Sequence, residues 1–412
     1  MLWGSAVLSR GAISAMFPVS VLAIKEILGS STWAGLSTGA STIGSAISAA
    51  ALAALMQRRG RNPGISLGFA VPVVGAVLAI VAIEIASLPL FLFAMVLVGV
   101  GSGTSNLARY AAADLAEPER RSRDISTVIF AATFGAVFFP LLIGVAGDIA
   151  DGVGLRENSG GFAMAFALFA LAAMAVRIFM RPDPLVVAGG VDPTASFRSK
   201  KAVPFREAVR IALATPLARL AFVTLVVSQA VMVMVMAMTP LHMEDHGHSK
   251  AAVGAVISAH TAGMFAFAPI AGWLSDRYGR LRVIGAAGFT LILATMLTSL
   301  AGEAPKLLMF PGLYLLGLGW SFGIVAGSAL LTESVAESDR VAVQGAADTA
   351  TNIASGTGAL VSGVILSATG FHILSLVGMA AAAGLLGQAL IETRLAASIS
   401  GNQTPESDVS PV

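Results

Sequence analysis

Long runs of apolar residues constrain this chain more than any other feature of its sequence. A membrane-spanning helix needs about 20 predominantly apolar residues. Segments of that length lie at roughly 4–26, 32–56, 65–87, 88–110, 125–146, 161–180, 217–241, 251–275, 283–301, 307–331, 341–367 and 371–391. With 56% hydrophobic and 12% charged residues, an ordinary soluble protein is excluded. The sequence predicts an all-α integral membrane protein with twelve transmembrane helices.

The basic residues predict how these helices are oriented. The loops after the even-numbered segments and the C-terminal tail carry nineteen Lys and Arg, whereas the loops on the other side carry four. Cytoplasmic loops of membrane proteins carry the excess of Lys and Arg, so both termini are predicted to be cytoplasmic. Because these charges flank membrane segments, they do not indicate a nucleic-acid partner. Arg10 interrupts the first apolar run, which we interpret as a retained helix and not a signal peptide.

A polar stretch in the middle of the chain predicts the domain organisation. Several prolines and basic residues predict a cytoplasmic linker at 183–212, with an amphipathic helix near 205–214. The linker separates a six-helix bundle at 1–182 from a second bundle at 213–395. The polar segment 396–412 is predicted to be a disordered cytoplasmic tail.

Two arginine-rich turns indicate that the bundles are repeats of each other. Residues 58–61 read Arg-Arg-Gly-Arg after the second segment, and residues 277–280 read Arg-Tyr-Gly-Arg after the eighth. The two turns lie 219 residues apart, at equivalent positions of two six-helix halves. This pattern is typical of transporters built from parallel repeats, which place their substrate site between the halves.

The second turn resembles a signature of the major facilitator superfamily. Residues 272–280, Gly-Trp-Leu-Ser-Asp-Arg-Tyr-Gly-Arg, match the G-x-x-x-D-R-x-G-R loop of that family, whereas the first copy has Gln57 where the Asp belongs. The resemblance covers about residues 1–395. It implies two pseudo-symmetric six-helix bundles around a central cavity, with an acidic residue and arginines forming a latch between helices. The alternative interpretation is that both turns carry only topology-setting charge.

Other signatures of the family argue against a drug/proton antiporter. The proton-linked arginine that the family carries in the fourth helix would fall near Met95 and is missing here. The antiporter motif of the fifth helix is only partly present, at Gly135, Pro140 and Gly144. No hydrolase, kinase or nucleotide-binding motif is visible. An enzyme is therefore not predicted, and neither is a bound cofactor.

Methionine and histidine cluster in the seventh and eighth segments. Six of the 16 methionines and four of the 5 histidines lie between residues 232 and 264. Met232 and Met236 are about one helical turn apart, as are His260 and Met264, so each pair shares a helix face. Thioethers and an imidazole facing each other would form a soft site suited to Cu(I). Packing alone is the alternative, because methionine also fills irregular gaps between helices.

The polar residue Gln229 predicts which face of the seventh helix points inward. A side-chain amide avoids lipid, and Gln229 lies on the stripe of Met232 and Met236. We therefore expect these two methionines to face the cavity, and Met234 and Met238 to pack against lipid or a neighbouring helix. A histidine deep in a membrane helix indicates a functional role, although a His260 hydrogen-bonded across a helix interface is the alternative.

These residues resemble the motifs of the CcoA-like copper importers, a branch of the major facilitator superfamily. That branch carries M-x-x-x-M in helix 7 and H-x-x-x-M in helix 8, matched here by Met232, Met236, His260 and Met264. The resemblance implies a bacterial inner-membrane importer that moves copper into the cytoplasm for cytochrome oxidase assembly, with cytoplasmic copper chaperones as partners. Copper would be the transported substrate. Several members of that branch carry cysteines thought to take part in transport, and this chain has none.

Two other functions fit the same sequence. One is a transporter of an organic solute or drug, with or without proton coupling, in which the methionines are adaptable lining of the cavity. The other is a membrane copper sensor or assembly factor that binds Cu(I) without moving it.

The segment from His242 to His248 could collect metal, although a solvated turn is the simpler interpretation. Arg109 and Asp114 are expected to form a gate or latch, and Asp348 is a candidate proton carrier with no partner evident in the sequence.

Overall fold

The computed structural model describes residues 1–28, 36–191, 203–245, 250–301 and 305–401. Within these residues every regular element is a helix and no strand is present. The first half of the chain contains α1 (Leu2–Leu28), α2 (Leu36–Arg59), α3 (Arg61–Glu84), α4 (Leu88–Ala111), α5 (Arg121–Phe138), α6 (Ile143–Gly152), α7 (Ser159–Phe179) and α8 (Pro184–Val187). The second half contains α9 (Phe205–Ala214), α10 (Pro216–Asp245), α11 (Lys250–Phe265), α12 (Ala268–Tyr278), α13 (Arg280–Leu300), α14 (Pro305–Ser334) and α15 (Glu337–Gly401).

The predicted all-α membrane fold is confirmed. Eleven helical stretches of the described part are long and apolar enough to cross a membrane. The last of them has 59 residues, or about 90 Å at 1.5 Å per residue, far more than the roughly 30 Å of a hydrocarbon core. Gly370, with φ 87° and ψ 172°, breaks α15 into two crossings. The stretch therefore supplies the last two of the twelve predicted helices.

Prolines divide two of the predicted helices. The fifth passes from α5 through a 3-10 turn at Phe139–Leu142, which contains Pro140, into α6. The eighth consists of α11 and α12, and Pro269 stands in the first turn of α12. Proline has no backbone N–H and its ring crowds the carbonyl four residues earlier, so a continuous helix is disrupted at each point.

The predicted linker and tail are only partly described. Within 183–212 the short helix α8 and the amphipathic helix α9 are present, and Ala208 and Ala212 form the buried face of α9. Residues 192–202 lie outside the described residues. At the C-terminus α15 continues to Gly401, so the start of the predicted disordered tail is helical, because residues 396–400 contain neither Pro nor Gly. Residues 402–412 lie outside the described residues.

Glycine allows the helices of the first half to pack at very short distances. A Cβ on Gly44 of α2 would lie 1.9 Å from the Val96 carbonyl oxygen of α4, and a Cβ on Gly99 of α4 would lie 1.9 Å from the Ser41 oxygen of α2. Small residues permit such close backbone contact between membrane helices. The backbones of α2 and α4 are thus in direct contact at Gly44 and Gly99.

The two halves also share a turn geometry. Gly60 joins α2 to α3 with φ 93°, and Gly279, 219 residues later, joins α12 to α13 with φ 95°. Glycine is the residue that adopts positive φ without steric strain. Each half has its own apolar core, and the two halves face each other across a central cavity. We name the end of the molecule that carries these two turns the basic end.

Candidate functional site: a cavity between the two halves

A cavity of about 250 Å³ lies between the halves. Its lining from the first half comes from α1, α4 and α5, and its lining from the second half comes from α10, α11, α14 and α15. The lining residues are Ala6, Ser9, Arg10, Ser102, Ser105, Asn106, Arg109, Val128, Ile129, Ala132, Gln229, Met232, Met264, Phe265, Trp320, Ile324, Thr351 and Asn352. A site between repeats is where this architecture places its substrate.

Two arginines line this cavity, and Arg10 of α1 is the one that forms no ion pair among the described residues, whereas Arg109 pairs with Asp348. The Cζ atom of Arg10 lies 5.0 Å from the ring centroid of Phe265 on α11, within range of a cation–π interaction. The Phe265 ring in turn meets Trp320 of α14 edge to face, with centroids 5.7 Å apart. The Nε atom of Arg10 is buried and has no hydrogen-bond partner within the described part of the chain.

The polar side chains that the second half contributes are already hydrogen-bonded within the protein. Trp320 Nε1 donates to Gln229 Oε1 at 2.8 Å, and Gln229 Nε2 donates to the Ser355 hydroxyl at 2.9 Å. Asn352 donates to the Asp348 carbonyl oxygen at 2.7 Å and accepts from the Ser45 hydroxyl at 2.9 Å. These bonds fix the indole and the amides in place and leave them little capacity for a bound molecule.

The first half, in contrast, carries polar groups that are free. Ser102 and Asn106 are four residues apart on α4, so both side chains share the helix face that lines the cavity. Neither forms a side-chain hydrogen bond among the residues that the structure describes. The unused hydrogen-bonding groups of the cavity therefore lie on the side of α1 and α4, and its aromatic and thioether surface lies on the side of α10, α11 and α14.

The structure separates the four predicted copper ligands. Met232 and Met264 line the cavity, as the helix-face argument from Gln229 expects for Met232. Met236 is not among the lining residues and packs, half-buried, against the apolar core of the second half. Met234 is buried, and its methyl group lies near Gly378 of α15, which agrees with its predicted packing against a neighbouring helix.

His260 contacts α14 and is not among the cavity-lining residues. Its Nδ1 lies 2.9 Å from the Leu313 carbonyl oxygen, and the residue is 3% exposed. The Nε2 atom is buried without a partner in the described part. This geometry is that of a histidine hydrogen-bonded across a helix interface, the alternative that the sequence left open. No assembly of three His, Asp or Glu side chains suited to a metal ion occurs among the described residues.

The segment from His242 to His248 is only partly described. The His242 ring stacks on Phe371 of α15, with centroids 4.2 Å apart, and Met243 is buried. Both side chains pack inside the second half. Residues 246–249 lie outside the described residues, so metal collection by this segment stays a prediction.

An ion pair between the halves closes the cavity toward the basic end. Arg109 of α4 donates through Nη2 to Asp348 Oδ1 of α15 at 2.6 Å, and both side chains are buried. The Arg109 Nε donates to the Ser328 hydroxyl of α14 at 3.2 Å, and Nη2 also contacts the Tyr110 hydroxyl at 3.0 Å. The partner of Asp348, which the sequence did not reveal, is therefore Arg109.

A second buried cluster lies closer to the basic end. Arg61 of α3 forms two hydrogen bonds with Asp114, at 2.7 and 3.0 Å, and a third with Gln344 of α15 at 2.7 Å. The Arg61 and Asp114 side chains are both fully buried. Asp114, predicted to be a gate or latch residue, thus lies in a buried ion pair within the first half, and Arg61 connects this pair to Gln344 of the second half. Gln57, which replaces the signature Asp, accepts a hydrogen bond from the backbone N–H of Val203, just before α9.

The complete copy of the signature connects the halves at another point. Asp276 of α12 accepts hydrogen bonds from the backbone N–H groups of Ser122 at 3.1 Å and Arg123 at 2.9 Å, in the first turn of α5. The N-terminus of a helix carries a partial positive charge, which a carboxylate stabilises. Arg280 pairs with Asp276 at 3.1 Å and with Glu333 at 2.9 Å. The basic end is therefore closed in this conformation.

The family of the chain follows from a comparison with known proteins. The sequence model described as "Major Facilitator Superfamily" matches residues 2–249 and 220–408. The chain belongs to the Major Facilitator Superfamily. The predicted family and fold are confirmed, and the chain is a membrane transporter of a family that is in general not enzymatic.

The names of similar members of the Major Facilitator Superfamily do not indicate a shared substrate. The "Uncharacterized MFS-type transporter YdeG" of Bacillus subtilis (strain 168) is 35% identical over 387 residues, which cover 91% of this chain and 86% of the relative. The "Riboflavin transporter RfnT" of Brucella anthropi is 29% identical over 307 residues, which cover 74% of this chain and 73% of the relative. Neither name mentions copper, and the CcoA-like branch is not shown.

Solved structures of Major Facilitator Superfamily transporters share the fold. The transporter FucP in the outward conformation superimposes with a TM-score of 0.73 at 16% identity, covering 95% of this chain and 97% of FucP. At this identity the likeness shows the fold and carries no information on the substrate.

Proposed function

We propose that this transporter moves a small organic solute through the cavity between its halves by alternating access. The observation that carries the proposal is the cavity itself, which both halves line and which the Arg109–Asp348 ion pair closes on one side. Such a cavity exchanges its opening from one membrane face to the other when the halves rock about it. The relative RfnT is a transporter of an organic solute, riboflavin, which supports this class of cargo.

The size of the cavity suits a small cargo. An apolar cavity of about 150 Å³ holds one benzene molecule, and pockets for drug-sized ligands span roughly 300–1,000 Å³. The cavity here, about 250 Å³, lies between these sizes. A molecule with one ring and one polar group fills it without opening the walls.

We place the basic end in the cytoplasm of a bacterial cell, with the protein in the inner membrane. Cytoplasmic loops of membrane proteins carry the excess of Lys and Arg, and both chain termini belong to the same end. In this orientation the conformation described is closed toward the cytoplasm. The cavity is then poised to exchange solute with the opposite side.

A cavity-filling variant tests transport. Ala132 lies on α5 and lines the cavity, so Ala132→Phe fills it. Val137 lies one to two turns further along α5 and is 53% exposed, so Val137→Phe is the matched control that leaves the cavity empty. Cells that express each form are given a mixture of small organic solutes, and the solutes taken up or expelled are measured by mass spectrometry.

We expect at least one solute whose cellular level changes when the wild type or Val137→Phe is expressed. The level of the same solute in cells with Ala132→Phe should equal that in cells without the protein. The membrane abundance of all three forms is measured in the same cells. A solute profile that is identical in cells with the wild type, with Ala132→Phe and without the protein contradicts the proposed function.

Copper import is the second candidate, and one observation favours it. The thioethers of Met232 and Met264 line the same cavity, and thioethers are soft ligands suited to Cu(I). The other two predicted ligands are not among the lining residues, since His260 contacts the Leu313 carbonyl and Met236 packs in the core. The Arg10 charge in the same cavity also repels a free metal cation. The organic solute therefore has the stronger support.

Copper measurements separate these candidates. Met232→Leu and Met264→Leu keep side-chain volume and remove a ligand, and His260→Gln keeps hydrogen-bonding capacity at the α14 contact. If the protein imports copper to cytoplasmic chaperones, each substitution lowers the copper content of expressing cells at normal membrane abundance. If it is a copper sensor, the purified protein binds Cu(I) but moves none into proteoliposomes. We expect neither binding nor transport of copper to depend on these residues.

A further inference from the structure

We propose that the cargo is a small organic anion with an apolar, planar part, and that Arg10 binds its anionic group. This inference rests on the proposed function, because it names the class of solute that the cavity accepts. Two observations carry it. Arg10 has no counter-charge among the described residues, and the free polar groups of the cavity lie across from its aromatic and thioether surface.

Arg10, which is half-buried, differs from Arg61 and Arg109, the two buried arginines of the described residues. Arg61 and Arg109 each form an ion pair with a carboxylate, Asp114 and Asp348 respectively, at 2.7 and 2.6 Å. Arg10 has no carboxylate within ion-pair distance in the described part, and the lining residues include neither Asp nor Glu. A charged side chain within the membrane is costly unless paired, and its presence there indicates a functional role. The missing counter-charge is that of the cargo.

The surroundings of Arg10 leave its hydrogen-bond donors available. The contact with the Phe265 ring is electrostatic and offers no oxygen or nitrogen acceptor. It therefore positions the guanidinium without satisfying its N–H donors. Guanidinium has five N–H donors in a planar fork that matches a carboxylate or a phosphate. The free hydroxyl of Ser102 and the free amide of Asn106 line the same cavity and can bind further oxygen atoms of the anion.

The opposite wall determines the rest of the cargo. Met232, Met264, Phe265, Trp320 and Ile324 present thioether, aromatic and aliphatic surface to the cavity. The Trp320 indole is held by its hydrogen bond to Gln229, so its orientation is fixed before any solute binds. Flat, apolar groups bind such walls by stacking and by burial of their surface. The cargo therefore has an anionic end toward α1 and α4 and an apolar end toward α11 and α14.

Pairs of acids and their amides test this inference on the purified full-length protein. Benzoate and benzamide, phenylacetate and phenylacetamide, and nicotinate and nicotinamide have nearly the same shape and differ in charge. Binding is measured by the ligand-dependent shift of the thermal unfolding temperature, for the wild type, Arg10→Gln and Arg10→Lys. Arg156→Gln is the control, because Arg156 forms a surface ion pair with Glu26 at 3.1 Å, away from the cavity.

We expect the wild type and Arg156→Gln to bind at least one acid and to bind its amide more weakly. Arg10→Gln should lose about 10- to 100-fold in affinity for that acid, which is the range for a charge-assisted hydrogen bond, and leave the amide unchanged. Arg10→Lys should recover part of the loss, because it restores the charge without the planar fork. Equal binding of acids and amides, or no binding of any acid, overturns the inference.

The uptake experiment distinguishes this inference from the proposed function. If Ala132→Phe abolishes transport of a neutral solute that Arg10→Gln still carries at the wild-type rate, transport stands and the anion inference is wrong. If no solute depends on the wild type, the proposed function itself fails. If the dependent solute is an anion whose transport Arg10→Gln abolishes, both are supported.

Discussion

Asp276→Asn is expected to open the basic end. Asp276 accepts two backbone hydrogen bonds from the first turn of α5, at Ser122 and Arg123, and so connects the two halves only while this end is closed. Asp276 also forms an ion pair with Arg280, four residues later in the same half, and this pair does not bridge the halves. The substitution therefore weakens the closed conformation selectively.

The size of the effect follows from the bonds that are lost. A hydrogen bond to a charged group contributes about 1.5–3 kcal/mol net, and a neutral one about 0.5–1.5 kcal/mol. Asparagine keeps one neutral acceptor in place of two charged ones, and the Arg123 bond is exposed to solvent, which places the loss near the low end. A loss of about 2 kcal/mol corresponds to a roughly thirty-fold shift of the equilibrium toward the open conformation.

A single introduced thiol reports the shift directly, because the chain contains no cysteine. Ser122 is fully buried where α5 meets α12, with its hydroxyl 2.9 Å from that of Ser275. Ser122→Cys is therefore protected from a maleimide reagent while the basic end is closed. Its labelling rate is measured with and without Asp276→Asn, and Glu117→Gln, an exposed carboxylate at the same end, is the control.

The labelling rate should rise about thirty-fold with Asp276→Asn, in line with the estimated shift, and should not change with Glu117→Gln. A rate that Asp276→Asn leaves unchanged would refute the reasoning, because the backbone bonds would then contribute nothing to closure. Fast labelling in the Ser122→Cys background alone would show that the conformation described is not the one populated in solution.

Two further predictions concern stability. Asp114→Asn leaves the buried Arg61 guanidinium without a counter-charge, so we expect a loss of about 3–5 kcal/mol, seen as a lower unfolding temperature and lower membrane abundance. Gly99→Ala forces a methyl group against the Ser41 carbonyl oxygen and should destabilise the first half by about 1–3 kcal/mol, whereas Gly384→Ala, where a Cβ meets nothing within 4 Å, should leave the unfolding temperature unchanged.

The parts of the fold that depend on local pattern could be predicted from the sequence. Apolar length predicted the twelve crossings, and the spacing of the two arginine turns predicted the repeat, since both features lie within short segments. The amide of Gln229 placed Met232 and Met236 on the cavity face, and of these Met232 lines the cavity whereas Met236 packs against the core. Pro269 favours a break between α11 and α12, but Pro18, Pro72 and Pro311 lie inside continuous helices, so a proline alone does not specify where a helix ends.

The parts of the site that depend on contacts between distant helices could not be predicted. Whether His260 faces the cavity or α14 depends on the Leu313 carbonyl, 53 residues away, which no local pattern encodes. The same holds for Asp348 and its partner Arg109, 239 residues apart. Arg10 was visible in the sequence as a charge in an apolar helix, but its lack of a partner is a property of the assembled bundle.

The hydrogen bond between Arg109 and Ser328 has a geometric consequence. The two residues are 219 positions apart, the same offset that separates the two arginine turns, so they are each other's counterparts in the repeat. Counterparts in a twofold arrangement can touch only beside the symmetry axis, which in parallel repeats runs along the membrane normal. Arg109 therefore stands on the central line of the molecule. A solute that leaves through the basic end along this line meets Arg109, and its release requires the guanidinium to move aside first.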